Sequence, residues 1–200
     1  MVSQFIHDPK EKHLQVIYRI FHYLKATPKK EILFQKRKEL TLKAYTDAEY
    51  VGSQMDRRSM SDYFTFLRGN LVTWRNKKQN VVARSSAEAE FRAIAHEICE
   101  LLWLRIILND LRIKREGTMR LYCDNKFAIN ITHNFIQHNR TKHIETDRHF
   151  IKEKLESGLI SILYMLLDSQ LANILTKGLP ITRFQKITSK LGIEDIYSSA

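Results

Sequence analysis

Apolar residues first recur at helical spacing in residues 9–25, where Leu14, Ile17, Ile20, Phe21 and Leu24 share one stripe with Lys and Arg between them. Thr27-Pro28 closes the segment, so an amphipathic helix is predicted whose apolar face needs a packing partner. The period then drops to two. Over residues 40–46, Leu40, Leu42 and Ala44 alternate with Thr41, Lys43 and Tyr45, as in a half-buried strand. Two more β-rich runs, Met60 to Arg68 and Leu71 to Lys77, flank Gly69-Asn70, which predicts a tight hairpin turn. Helical spacing returns with Phe91, Ile94, Ala95, Ile98, Leu101, Leu102 and Leu108, and Ser85 and Glu88 have capping-box spacing at the start of that helix. A short strand from Arg120 to Cys123 runs into a helix beginning near Asn125. Ile144 to Ser157 reads as a charged helix ended by Gly158, Leu159 to Met165 as a last strand, and Gln170 to Lys177 as a last short helix. A strand meander followed by β-α-β alternation implies an α/β domain, a mixed sheet with helices packed on it.

Composition supports a packed core and narrows the partner class. Apolar residues make up 44% of the 200, with ten Phe, eight Tyr and two Trp, enough for one domain with some extra sequence. Only six Gly and three Pro argue against disorder and against a glycine-rich phosphate loop. A formal charge of +11 favours a polyanion as partner. Cys99 and Cys123 stand in apolar contexts with no ligand-spaced Cys or His nearby, so both are expected to be buried, reduced thiols of an intracellular protein. Met1 to Asp8 shows no basic region leading into an apolar run, and Leu159 to Leu167, broken by Ser161, is too short to span a bilayer. A cytoplasmic or nuclear chain without membrane partners is expected.

Two acids end predicted strands: Asp47 the first and Asp124 the fourth, at the carboxyl ends where α/β sheets bind ligands. Asp124 would equally serve as N-cap of the helix at Asn125. On the long helix Glu88 and Glu90 compete. Glu88 is placed to bond back to the backbone at Ser85, whereas Glu90 shares the stripe of Ile94 and Leu101 and points toward the sheet. A carboxylate aimed at a core needs a cation, which makes Glu90 the better functional candidate. Magnesium takes few protein ligands, usually carboxylates. Two such ions about 3.5–4 Å apart can activate a water and stabilise a leaving oxygen in phosphodiester hydrolysis.

The blocks around these acids are more specific than their spacing. Asp56-Arg57-Arg58-Ser59-Met60-Ser61-Asp62-Tyr63 resembles D-R-R-S-x-S-G-Y, and Trp74-Arg75-Asn76-Lys77-Lys78-Gln79 resembles W-x-S-K-K-Q. Ser85-Ser86-Ala87-Glu88-Ala89-Glu90-Phe91-Arg92-Ala93 matches S-S-x-E-A-E-[YF]-R-A, and Leu121-Tyr122-Cys123-Asp124-Asn125 matches L-x-C-D-N. Arg140-Thr141-Lys142-His143-Ile144-Glu145 matches R-T-K-H-I-[DE], and Leu171-Ala172-Asn173-Ile174-Leu175-Thr176-Lys177 resembles L-A-D-[IL]-[LF]-T-K. Six blocks in this order resemble the ribonuclease H region of copia-type retrotransposon Pol polyproteins. The resemblance implies a ribonuclease H-like fold, with a mixed five-stranded sheet, helices packed on it, and an N-terminal amphipathic helix before it. Residues 37–180 would form that domain, 1–36 the remnant of the reverse-transcriptase and connection region, and 181–200 a C-terminal tail.

The implied activity is cleavage of the RNA strand of RNA–DNA hybrids with two Mg2+ or Mn2+ ions, beside the reverse-transcriptase domain of the parent polyprotein. Carried over by position, the family's metal-binding acids fall on Asp47, Glu90, Asp124 and, in the L-A-D block, Asn173. An amide oxygen at 173 carries no charge and holds a hard cation less well, so the resemblance allows either impaired cleavage or an inactive remnant that only binds nucleic acid. Asp62 stands where the motif has Gly, and Asn76 where it has Ser. Arg57, Arg58, Arg75, Lys77, Lys78, Arg84, Arg140 and Lys142, in or beside the blocks, are the expected phosphate contacts. His143 lies where such enzymes often carry a mobile histidine that aids product release, with His138 an equal alternative. Trp74, alternating with Val72, is expected to pack in the core, and His96 and His149 to lie on helix surfaces.

Overall fold

A computed structural model describes residues 5–26, 30–36, 39–52, 56–113, 117–133 and 142–195. Two compact units divide the chain, Phe34–Gly192 and a smaller one made of Met1–Leu33 with Ile193–Ala200. In the smaller unit, α1 (Glu11–Ala26) takes up the predicted amphipathic pattern, with Leu14, Phe21 and Leu24 exposed. A three-residue strand, β1 (Lys30–Ile32), pairs antiparallel with residues 193–195.

The larger unit runs β2 (Leu42–Glu49), β3 (Met60–Leu67), β4 (Asn70–Lys78), α2 (Ser86–Asp110), β5 (Met119–Cys123), α3 (Lys126–His133), α4 (Lys142–Glu156), β6 (Ile160–Tyr164), α5 (Asn173–Thr176) and α6 (Ile181–Lys190). The last strand, β7 (Ile193–Asp195), is the partner of β1. The five-stranded sheet has the order β4-β3-β2-β5-β6, with β2, β3 and β4 antiparallel neighbours and β5 and β6 added in parallel. Its core, against α2, contains Leu42 and Ala44 of β2, Phe91, Ile94, Ile98 and Leu101 of α2, and Met119 and Leu121 of β5.

Local chemistry sets the element ends. Ser85 caps α2, its hydroxyl accepting the Glu88 amide at 3.1 Å. Glu88 reaches back to the Arg84 amide, not that of Ser85, and pairs with Arg92 at 3.0 Å. The hairpin turn falls one residue earlier than predicted. Arg68 and Gly69 both have positive φ, 53° and 74°, the requirement of a primed two-residue turn. Asn70 therefore opens β4, and its side chain exchanges hydrogen bonds with the Gln35 backbone.

Trp74 departs from expectation: it is 55% exposed. Pairing slips between Thr65/Phe66 of β3 and Thr73/Leu71 of β4, so Val72 is an extra residue and the Val72–Trp74 alternation is broken. Leu71 takes the buried place, and Trp74 is left on an edge strand. Cys99 is likewise exposed, whereas Cys123 is buried as expected. Residues 181–190 form a helix that buries Ile187 and Thr188.

Candidate active site

Strand geometry brings the acids together. Asp47 lies near the end of β2, and Asp124 directly follows β5, the strand that pairs parallel to β2. Glu90 reaches over from the second turn of α2, its Oε1 accepting the Ala48 amide at 3.0 Å. The capping role open to Asp124 falls to Asn125, whose Oδ1 accepts the Ala128 amide at 3.0 Å. That leaves Asp124 beside the other acids, and one ligand atom from each of Glu90, Cys123 and Asp124 lies within 4.8 Å of the rest.

Like charges in a dry site cost energy, and the carboxyls record it. Glu90 is held well above the ordinary glutamate range by burial, then by the charge of Asp47. Burial and Asp47 also push Asp124 upward. The Cys123 thiol is pushed up by burial and then by the charge of Glu90, and it sits 3.9 Å from Glu90 Oε2. A hard divalent cation fits this donor set, which gathers carboxylate oxygens.

Asn173 arrives from α5 and is fully buried. Its Nδ2 donates to the Leu167 carbonyl at 3.2 Å, and its Oδ1 accepts from the Lys177 ammonium at 2.5 Å. Lys177 also lies 3.1 Å from Asp47 Oδ2. The position where the resemblance places a fourth acid therefore holds an amide and an ammonium. Lys177 is the first residue after α5, with extended backbone, so its return to Asn173 is not a helical i,i+4 contact.

Asp62 is a second residue whose part the motifs did not show. It pairs with Asp47 across β2 and β3, is completely buried, and accepts a 2.5 Å hydrogen bond from Asn76 Nδ2 of β4. Burial raises its carboxyl to about 7; Asn76 lowers it, Asp47 and Glu49 raise it, and Lys177 lowers it. The two departures from the motif, Asp62 and Asn76, are thus bonded to each other.

Among the described residues, the expected cationic contacts have separate surroundings. Arg75 and Lys77 line a cavity of about 320 Å³ between β4 and α2 with Ser61, Tyr63, His96 and Trp103. Lys78 and Arg58 both pair with Asp56, at 3.0 and 3.6 Å. Arg57 and Arg84 are exposed. Arg140 and His138 lie outside the described residues, as do the side chains of Lys142 and His143.

A five-stranded mixed sheet with acids gathered at the ends of β2 and β5 and on α2 is the ribonuclease H fold. LC11-RNase H1, isolated from compost by a metagenomic approach, superposes with a TM-score of 0.50 over 68% of this chain and 91% of its own, at 13% sequence identity. No family model matches the chain. Its sequence is 40% identical over 192 residues to the retrovirus-related Pol polyprotein from transposon RE1 of Arabidopsis thaliana. It is 36% identical over 192 residues to that from transposon RE2 of the same plant, and 31% over 193 to that from transposon TNT 1-94 of Nicotiana tabacum. Each match covers 96% of this chain but only 13 or 14% of the relative. Over nearly its whole length the chain is similar to one segment of retrotransposon Pol polyproteins, and its fold is ribonuclease H-like.

Proposed function

We propose that this chain cleaves the RNA strand of RNA–DNA hybrids endonucleolytically, with divalent metal ions held by Asp47, Glu90 and Asp124. The approach of those three carboxylates at neighbouring strand ends and on α2 carries the reading: Glu90 and Asp124 offer ligand atoms within 4.8 Å of each other, and the charge of Asp47 acts on both. Two ions, Mg2+ or Mn2+, are the expected complement, Asn173 offering its amide oxygen in place of the fourth carboxylate. When bound, the ions supply charge for activating a water and for the leaving oxygen of a phosphodiester. The chain's own residues orient the site. Ala48 fixes Glu90 through its amide, Asn125 takes the capping role and leaves Asp124 to the cluster, and Gln170 donates to the Thr46 carbonyl at 2.7 Å beside Asp47.

Arg57, Arg58, Lys78 and Arg84, with Arg140 and Lys142, are the proposed backbone contacts to a hybrid, recognised by groove shape and 2′-hydroxyls. His143 is proposed to help release product. In the parent polyprotein the domain would work beside the reverse transcriptase, with residues 1–36 belonging to that neighbour, 37–180 to the nuclease domain and 181–200 to its tail. Among the described residues no helix is long and apolar enough to cross a membrane.

A second reading is favoured by the Asn173–Lys177 pair: a remnant that binds hybrid but no longer cleaves it. Incubating end-labelled RNA–DNA hybrid with Mg2+ and then Mn2+, beside an Asp47→Asn control, separates the two. Metal-dependent cleavage lost in the control supports the nuclease. Salt-sensitive binding with no cleavage supports the remnant.

A further inference from the structure

The register of β2 against β3 pairs Asp47 with Asp62, and directly paired residues of antiparallel strands project to the same face of the sheet. Asp62 is therefore a cross-strand neighbour of Asp47, whose charge acts on it. The charges acting on it, Asp47, Glu49 and Lys177, include two groups of the acid cluster. α5, which carries Asn173, packs against β3.

Its two carboxylate oxygens have different surroundings. Oδ1 is held by Asn76 at 2.5 Å. Oδ2 is buried and has no hydrogen-bond partner among the described residues. A buried carboxylate oxygen left without a donor is costly unless a cation completes it. An Asp whose sole purpose was its bond to Asn76 would be served as well by a neutral amide, which accepts the same bond at lower desolvation cost.

We propose that Asp62 supplies, from β3, the carboxylate that Asn173 does not supply from α5, so that the cation site keeps four acids with one of them moved. This rests on the divalent-cation reading of the site given above. Asn76 then acts as a positioning residue: it occupies Oδ1 and leaves Oδ2 without a hydrogen-bond partner among the described residues. The motif has Gly and Ser at these two positions, and this chain has replaced both with a bonded pair.

Titrating the full chain with Mn2+, followed by electron paramagnetic resonance and calorimetry, tests this in the parent and in Asp62→Asn, Asn173→Asp and the double variant. Asp62→Asn keeps an oxygen for Asn76 and removes the charge; Asp62→Gly, the motif residue, is the second probe, with folding of both checked by circular dichroism. Asp62→Asn should weaken Mn2+ binding roughly tenfold or more. Adding Asn173→Asp should restore it to within about threefold of the parent, so that the two changes are strongly non-additive. Folded Asp62→Asn and Asp62→Gly proteins that bind Mn2+ as the parent does would overturn the proposal. So would Asn173→Asp strengthening binding by the same factor in both backgrounds. If the parent and Asn173→Asp both fail to bind Mn2+, the cation reading itself falls and the role of Asp62 with it.

Discussion

Lys177 places its ammonium 3.1 Å from Asp47 Oδ2, so the acid expected to bind a cation already has one beside it. A divalent ion reaching Asp47 must displace that ammonium or tolerate its charge. Removing the charge with Lys177→Gln should tighten Mn2+ binding roughly tenfold, because solvent reaching the part-exposed ammonium screens the repulsion between like charges a few ångströms apart to about 1–2 kcal/mol. Lys177→Arg should leave the affinity near that of the parent. Equal affinities for parent and Lys177→Gln, measured by calorimetry, would show that Lys177 and the metal do not compete.

Glu97 gives the fold a pH dependence separate from the site. It is fully buried under α2, its Oε1 accepts the Thr65 hydroxyl at 2.8 Å, and Oε2 has no partner among the described residues. Burial holds its carboxyl well above the ordinary range. The native state thus keeps a proton that the unfolded chain gives up, and stability present at acid pH is lost as pH rises through the native titration. Glu97→Gln should remove that loss, gaining on the parent by about 1.4 kcal/mol per pH unit between the unfolded and native titrations. Urea unfolding at several pH values reads this directly, and parallel pH profiles for the two proteins would contradict it.

The two helix caps beside the site should matter for stability by similar amounts. Ser85→Ala at the start of α2 and Asn125→Ala at the start of α3 each remove a side-chain acceptor for a helix amide. Each should cost about 1 kcal/mol in chemical denaturation. Asp124→Asn should cost no cap energy, because Asn125 holds that role; a loss as large as that of Asn125→Ala would return the cap to Asp124.

Gln170 is fully buried and donates from Nε2 to the Thr46 carbonyl at 2.7 Å. It ties the segment leading to α5 to the backbone beside Asp47. Gln170→Ala leaves that carbonyl unpaired in the interior and should cost about 1–3 kcal/mol. Weakened Mn2+ binding should accompany it if the tie positions Asp47, whereas a stability loss with unchanged Mn2+ affinity would make it structural alone.

Much of this arrangement was legible in the chain. The order of periodicities foretold the mixed sheet, and the helical stripe through Ile94 and Leu101 separated Glu90 from Glu88. In the structure Glu90 reaches the Ala48 amide beside Asp47, while Glu88 bonds the Arg84 amide and Arg92 in place of the Ser85 backbone expected. Asp62 was not legible as a site residue, because its nearness to Asp47 depends on a strand register that no local pattern encodes. Trp74 was misplaced for a related reason: one bulged residue inverts the alternation from which burial was inferred. The cations of β4 divide because neighbours on a strand face opposite ways, sending Arg75 and Lys77 to the α2 side and Lys78 to Asp56.

The most direct test of the account is cleavage of an RNA–DNA hybrid labelled on its RNA strand, by the parent chain and by Asp47→Asn, Glu90→Gln and Asp124→Asn, at saturating Mg2+ or Mn2+ and after chelation. The account predicts RNA-strand cleavage by the parent that stops on chelation and falls by at least about a hundredfold in each variant. Cleavage that survives chelation, or that persists in the three variants at the parent's rate, would contradict it.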